Sequence, residues 1–393
     1  MFCKYSFFES AHIDLPVYLY DNNSTSTTKA LKTLYSNPDQ NLEYNEYFTL
    51  GSHNSFSYPD DNLEKSIQSI LAQNQIMNFT QQLEFGVRAF FVDIYWRKPE
   101  DTIKFSHGYK GMTLAFTKDW TDFLTEINTF LTSNQNEIIT IHLESYVKNH
   151  SRIMEDIVKT GLTNYLYVVD ENVEHWDTID KMINDNKRLL IFSDANEDYG
   201  PGIMNTRYYV LENNYKGKGC IYRDFGRLKP PENCASPENL DIGLYDCTRE
   251  NMRLVPLGET NNRGAIIFVM NAFQIERALH HLKRLWKREP IFNSEIIDYF
   301  EFLNSRQTLI NRIKDCYCNF TIPKGSLLQL QDNSQEFVES ASQKTMKLGV
   351  LPSIIALDFV GVGEKAGDSA RELVLELLTG QFSALICDSN KAS

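Results

Sequence analysis

The sequence predicts a distorted TIM-type β/α barrel with parallel strands, on three observations. From residue 46 onward, short apolar runs that read as buried strands alternate with longer amphipathic stretches that read as helices. The alternation continues to the end of the chain, far enough for a large parallel sheet. Nearly every apolar run also ends in a polar residue able to do chemistry: His53, Asp93, His107, Glu144, Asp194, Asn271 and Asp358. A barrel gathers the carboxyl ends of all its strands at one mouth, whereas an open sheet gathers only a few at its switch point. That many strand ends of histidine and carboxylate type favour the barrel.

Residues 1–45 contain YDNNSTSTTKALK, a polar stretch that reads as an N-terminal arm, and the barrel is expected over 46–393. The expected strands are YFTLGSH (47–53), VRAFFVDIYW (87–96), IKFSHG (103–108), EIITIHLES (137–145), RLLIFSD (188–194), GAIIFVMN (264–271) and SIIALDF (353–359). Helix-like stretches between them include NLEKSIQSILAQN, WTDFLTEINTFLTSN, TIDKMINDN and DSARELVLELLTG, whose apolar residues recur at helical spacing. Residues 212–262 carry Pro, Gly, Asn and scattered charge with little periodicity, and read as a loop-rich insertion between two barrel strands. FNSEIIDYFEFLNSRQTLINRIKDCY (292–317) reads as one long helix outside the barrel.

The bulk properties narrow the function. A formal net charge of −13 argues against nucleic acid as a partner held by bulk charge. HHLKRLWKRE (280–289) is a local basic stretch that reads as a solvated helix face. Seven cysteines without zinc-site spacing read as reduced thiols. The N-terminal residues lack the continuous apolar segment of a secretory signal. The expectation is a cytoplasmic product, or one exported without such a signal, acting peripherally on membranes as a monomer.

Two strand-end histidines carry the chemistry. His53, in LGSHNSFS, is flanked by small residues that leave its ring uncovered, and His107, in FSHGY, is followed by Gly108. Imidazole can take or give a proton near neutral pH. A pair can therefore take a proton from an attacking hydroxyl and give one to a leaving oxygen, as phosphodiester cleavage requires.

The blocks GSHNSF, QLEFGVRAFFVDIYW, FSHG, EIITIHLESY and LPSIIALDFVGVG occur in the order of the catalytic X region of phosphatidylinositol-specific phospholipases C, which this chain resembles from about residue 46 to about 380. The resemblance implies the compact single-domain type, with a distorted β/α barrel that cleaves inositol phospholipid between glycerol and phosphate. It implies that His53 is the general base on the inositol 2-hydroxyl and His107 the general acid on the departing diacylglycerol oxygen. Asp358 would orient His53, and a cyclic inositol phosphate would be the first product. The partner implied is a phospholipid substrate at a membrane surface.

A phosphoryl transition state needs a cation beside its nonbridging oxygens. The resemblance offers either an arginine after the second strand or a calcium ion on Asn and carboxylates. Here Asn54 follows His53, the second strand carries Asp93, and Glu144 stands in HLES, so a divalent cation on Asn54, Asp93 and Glu144 is implied, calcium first and magnesium as the alternative. Phe91 is the departure, replacing a further ligand glutamate. Arg88 falls on the opposite face from Asp93 and reads as structural. Asp194, Arg207, Tyr208 and Asn271 are candidate contacts to inositol hydroxyls, and His142 reads as a core histidine. Two other readings stand beside this one. A metal-dependent glycerophosphodiesterase-like barrel would carry His-Arg-Gly where this chain has His-Asn-Ser. An inactive barrel binding a headgroup or protein would fit the loss at Phe91.

Overall fold

The computed structural model describes residues 34–35, 41–58, 73–98, 100–109, 112–115, 118–147, 150–169, 175–194, 202–212, 267–271, 304–313, 321–323, 345–347, 353–358, 360–361 and 369–378. The expected helix at 62–74 lies almost wholly outside these residues, as do most of the N-terminal arm, the body of the 212–262 insertion, the basic stretch 280–289 and all the cysteines.

The main strands are β1 (Thr49–Ser52), β2 (Val87–Arg97), β6 (Ile139–Ser145), β7 (Leu189–Ser193), β8 (Met204–Asn205), β9 (Val210–Glu212), β10 (Ile267–Asn271) and β13 (Ile354–Leu357). They pair in parallel in the order β8-β7-β6-β2-β1-β13-β10-β9. Read as a ring, this is simply the order of the chain, with an open seam between β8 and β9. The seam is bridged only by the short helix α5 (Thr206–Tyr209). Five peptide steps from Asn205 to Val210 can span at most about 19 Å, whereas a flat sheet of eight strands would be about 34 Å wide. The sheet must therefore curl until its edges nearly meet, giving the distorted parallel barrel.

Strand alternation sorts the side chains. Gly51, Phe91, His142, Phe192 and Ala356 share the inner face, while Phe90, Ile141, Ile191 and Ile355 point outward. Helices α1 (Phe79–Phe85) and α2 (Trp120–Ser133) cover part of the outer face. Phe79 and Phe123 from these helices lie 6.2 and 5.5 Å from Phe90, ring centre to ring centre. Asn78 and Gln81 cap α1 reciprocally, and the chain leaves it through Gly86 at φ 112°, a left-handed conformation that suits glycine. Below the barrel, Tyr44 reaches in to share a hydrogen bond with Thr140 and packs on Trp176.

The chain departs from expectation in three places. The run 103–108 is not a barrel strand. β3 (Thr102–Phe105) folds back antiparallel on the far end of β2, and β4 (His107–Tyr109) pairs with β5 (Met112–Ala115) in a separate ribbon. Tyr95–Arg97 project beyond the barrel, and a strand that overshoots the sheet finds its next partner by hairpin return. Two strands of the main sheet went unrecognised in the sequence, β8 and β9, because runs of two and three residues carry no readable period. Within the expected long helix 292–317, Ser305 breaks the described part. Its Oγ accepts from Thr308 N at 3.3 Å and starts α6 (Arg306–Ile313) afresh. Arg306 ties α6 to α7 (Ala370–Leu378) through Glu376. Among the described residues no helix is long and apolar enough to cross a membrane.

Arg88 lies on the outer face, 1% exposed, ion-paired with Glu137 and donating to Leu83 O and Val87 O at 2.8 and 2.7 Å. Removing one partner of such a pair leaves a buried charge uncompensated. Arg88→Ala is expected to lower the unfolding free energy by about 3–5 kcal/mol, measured by denaturant titration.

Candidate active site

The turn after β1 is built to present a side chain. A Cβ on Gly51 would stand 3.0 Å from Ile354 Cγ2 and 3.2 Å from Phe91 Cε2, so a larger residue here would push its neighbours away by a few tenths of an ångström. Ser55 N bonds Phe91 O at 3.0 Å and Ser55 Oγ bonds Ser52 O at 2.7 Å, folding residues 53–56 over the strand end. Asn54 takes φ 44°, a left-handed conformation that asparagine tolerates.

His53 sits at this turn, and its Nδ1 lies 2.7 Å from Asp358 Oδ1 at the end of β13. A carboxylate only accepts hydrogen bonds, so Nδ1 carries the proton and donates, which makes Nε2 the basic nitrogen of the neutral ring. The His53 side chain is 22% exposed, within reach of a ligand in the mouth. Asp358 Oδ1 also accepts from Asn74 Nδ2 at 3.0 Å, and Asn74 Oδ1 accepts from Asn54 Nδ2 at 3.1 Å. Gln75, fully buried, donates to His53 O and Leu357 O at 2.7 and 3.0 Å and accepts from Val360 N at 3.0 Å. Neither Asn74 nor Gln75 was legible as a site residue. AQNQI (72–76) is only a polar cluster at the end of a helix-like stretch, and its partners lie at the two ends of the barrel sequence.

Asp93 and Glu144 are register partners on β2 and β6, on the inner face, and Asp194 follows on β7. With Asp358 they make a carboxylate-rich rim. Asp93 is 7% exposed. Glu144 accepts from Tyr146 OH, and the Tyr146 ring stacks on Tyr95 at 4.0 Å. Burial and the neighbouring Glu144 hold the Tyr146 phenol well above its ordinary pKa. Asp194 Oδ1 accepts from Ser145 N at 2.8 Å, which commits one of its oxygens to the scaffold.

One layer below the rim, Phe91, His142 and Phe192 stack across three strands with ring centres 4.3 and 5.0 Å apart. Phe91 therefore fills barrel floor where the family resemblance implied a ligand carboxylate. His142 does lie in the core, but its Nε2 is buried without a hydrogen-bond partner. Burial lowers its pKa to about 3, so the ring is neutral.

His107 reaches the site by an unexpected route. β2 carbonyls of odd number face the edge that β1 occupies. Phe91 O binds Ser55 N, from the turn bearing His53, and Asp93 O binds Ser106 N at 3.2 Å, from the segment bearing His107. The two segments thus dock on alternate residues of one strand edge, about 7 Å apart. The His107 side chain lies outside the described residues, as do those of Arg207, Tyr208 and Asn271. By backbone, Arg207 and Tyr208 lie in α5 at the seam, and Asn271 ends β10 opposite Ala356.

The cation proposed from sequence has a partial cradle. Asp93 and Glu144 adjoin on the inner face and Asn54 stands at the next strand end, a set of oxygen donors suited to a hard cation. Among the described residues, no group of three or more His, Cys, Asp or Glu side chains is arranged to hold a metal ion. The set fits only with the Asn54 amide as a ligand and further oxygens from outside the protein.

Comparison with known proteins agrees with this architecture. Residues 41–227 match the PI-PLC X family profile. An Arabidopsis thaliana PI-PLC X domain-containing protein is 32% identical over 179 residues, covering 44% of this chain and 41% of that protein. PI-PLC X domain-containing protein 1 of Arthroderma benhamiae is 25% identical over 175 residues, covering 43% and 53%. The aligned region thus spans about half or less of each curated relative. A Staphylococcus aureus phosphatidylinositol-specific phospholipase C has the same fold at TM-score 0.50 and 13% identity, covering 89% of this chain and 98% of that one. The segment 41–227 is thus similar to PI-PLC X domains, and the curled parallel sheet shares the fold of the bacterial enzyme.

The neutral floor histidine has a measurable consequence. Its folded pKa lies below the unfolded value of about 6.5, so on acidification the unfolded chain gains a proton that the folded chain refuses. Stability should fall as pH drops from about 6.5 to about 3, by up to about 1.4 kcal/mol per unit from this group. His142→Phe, which keeps the stack, should flatten that slope in denaturant titrations run at several pH values.

Proposed function

We propose that this protein cleaves phosphatidylinositol, or a related inositol phospholipid, by general base and general acid catalysis at the barrel mouth. The observation that carries the reading is the 2.7 Å bond between His53 Nδ1 and Asp358 Oδ1 at the carboxyl ends of β1 and β13. It sets the tautomer in which Nε2 can accept a proton, and Asp358 stabilises the imidazolium once that proton arrives. The similarity of residues 41–227 to PI-PLC X domains and the position of the pair at the mouth support the same reading.

His53 Nε2 takes the proton of the inositol 2-hydroxyl as its oxygen attacks phosphorus. The bond from phosphorus to the glycerol oxygen breaks, and His107 gives that oxygen its proton. The products are diacylglycerol and inositol 1,2-cyclic phosphate, and with the roles of the histidines reversed water can open the cyclic ester. Asn54, Asp93 and Glu144 would hold a divalent cation, calcium first, which when bound supplies positive charge to the nonbridging phosphate oxygens. The rim carboxylates make that charge necessary, since a phosphodiester anion entering beside them is otherwise repelled. Asp194, Arg207, Tyr208 and Asn271 are proposed to meet the inositol hydroxyls. The substrate is a phospholipid at a membrane surface, met peripherally.

With labelled phosphatidylinositol in vesicles, His53→Ala and His107→Ala are each expected to lower kcat by at least about 100-fold. Near wild-type turnover in either variant would sink the mechanism, and headgroup binding without cleavage would leave a binding barrel. A chelator should abolish turnover, and Glu144→Gln should weaken calcium binding by about tenfold or more in calorimetry without substrate. Full activity in chelator would remove the metal from the proposal.

A further inference from the structure

The side chain that joins the two halves of this site is Asn74, just before α1. Asp358 Oδ1 receives two N–H donors, His53 Nδ1 at 2.7 Å and Asn74 Nδ2 at 3.0 Å. Because a carboxylate can only accept, the orientation of the Asn74 amide is forced: nitrogen toward Asp358, oxygen away from it. That oxygen accepts from Asn54 Nδ2 at 3.1 Å. The Asn54 amide is forced in turn, with its nitrogen spent on Asn74 and its oxygen turned to the other side. One chain of donors, Asn54 to Asn74 to Asp358, thus runs from the residue after the base to the carboxylate that orients it.

Residues 74 and 75 are anchored well enough to transmit this order. Asn74 N and Gln75 N both bond Ser57 O at 2.9 Å. The Gln75 amide spans the backbone of both strand ends, from His53 O to Leu357 O and Val360 N. Gln75 fixes where the ends of β1 and β13 stand, and Asn74 fixes how the side chains on them are turned.

We propose that Asn74 is a positioning residue that locks the Asp358 carboxylate against His53 and, through the same amide, sets the orientation of Asn54. This rests on the roles given above to His53, Asp358 and Asn54. It adds that the base dyad and the cation-side amide are not independent. Disturbing Asn74 turns both, so its loss is felt as a loss of turnover rather than of substrate binding.

The test is Asn74→Asp and Asn74→Ala in the full chain. Asn74→Asp keeps the shape but has no N–H to give Asp358. It is expected to lower kcat about 10- to 100-fold with KM changed less than about threefold, and with Tm within about 3 °C of wild type. Asn74→Ala and Asn54→Ala should be non-additive in kcat, the double variant losing less than the product of the two single losses, because the Asn54 part of the Asn74 effect is already gone. A second readout does not need activity. A His53 Nδ1–H held by a carboxylate gives a downfield proton resonance, identified by its loss in Asp358→Ala. That resonance is expected to shift or broaden in both Asn74 variants. Wild-type kcat in Asn74→Asp, additive losses, or an unmoved resonance would each overturn the proposal. If the wild-type chain cleaves no inositol lipid, the function proposed above fails while the resonance still decides the role of Asn74.

Discussion

Parallel pairing of β1 with β13 is the constraint on which the site depends. Gly51 lies opposite Ala356 and Ser52 opposite Leu357, so the next residues, His53 and Asp358, meet at the mouth although 305 positions separate them in the chain. His53 N continues the ladder onto Leu357 O at 2.8 Å, and Gln75 ties the same two strand ends from outside. A slip of one residue in this register would turn His53 or Asp358 to the opposite face and separate the pair. The interaction is therefore a product of barrel closure. It joins the first strand to the last, and neither strand alone contains it.

The mouth gathers charge of one sign. Asp93, Glu144, Asp194 and Asp358 share the rim, and Asp93 and Asp358 are nearly buried. Like charges in low dielectric disfavour one another unless hydrogen bonds or a cation compensate. For Asp358 the compensation is visible in two N–H donors on one oxygen, for Asp194 in Ser145 N, and for Glu144 in the Tyr146 hydroxyl. The floor contributes no charge, because His142 is kept neutral between two phenyl rings. An ionised floor histidine would have helped to neutralise the rim. Its desolvation removes that option.

The sequence was most informative where physics repeats itself. Buried parallel strands of four to eleven residues have a readable period, so β1, β2, β6, β7, β10 and β13 were found to within a few residues. The inner-face positions of His53, Asp93, Glu144 and Asp358 follow from those strands by alternation. β8 and β9 are too short to show a period, and they owe their existence to edges that curl together rather than to local preference. Asn74 and Gln75 could not be found for a related reason. Their partners are backbone and side-chain atoms brought in from residues 53–57 and 357–360, and no spacing in the chain encodes that meeting.

The error over residues 103–108 shows how the fold joins two histidines that sequence order alone would place on separate strands. β2 runs on past the end of β1, leaving the upper part of its β1-side edge without a partner from the barrel. β3 returns antiparallel along that exposed edge and stops at Ser106, where the edge meets the turn after β1. An unpaired strand edge is costly, and satisfying it with the hairpin return delivers the backbone of His107 beside the turn that carries His53. The overshoot of β2 is thus more than an irregularity of the barrel. Hydrogen-bond satisfaction along one strand edge brings the two histidine segments to the same mouth, and a β2 that ended at Asp93 would give the His107 segment no edge to follow there.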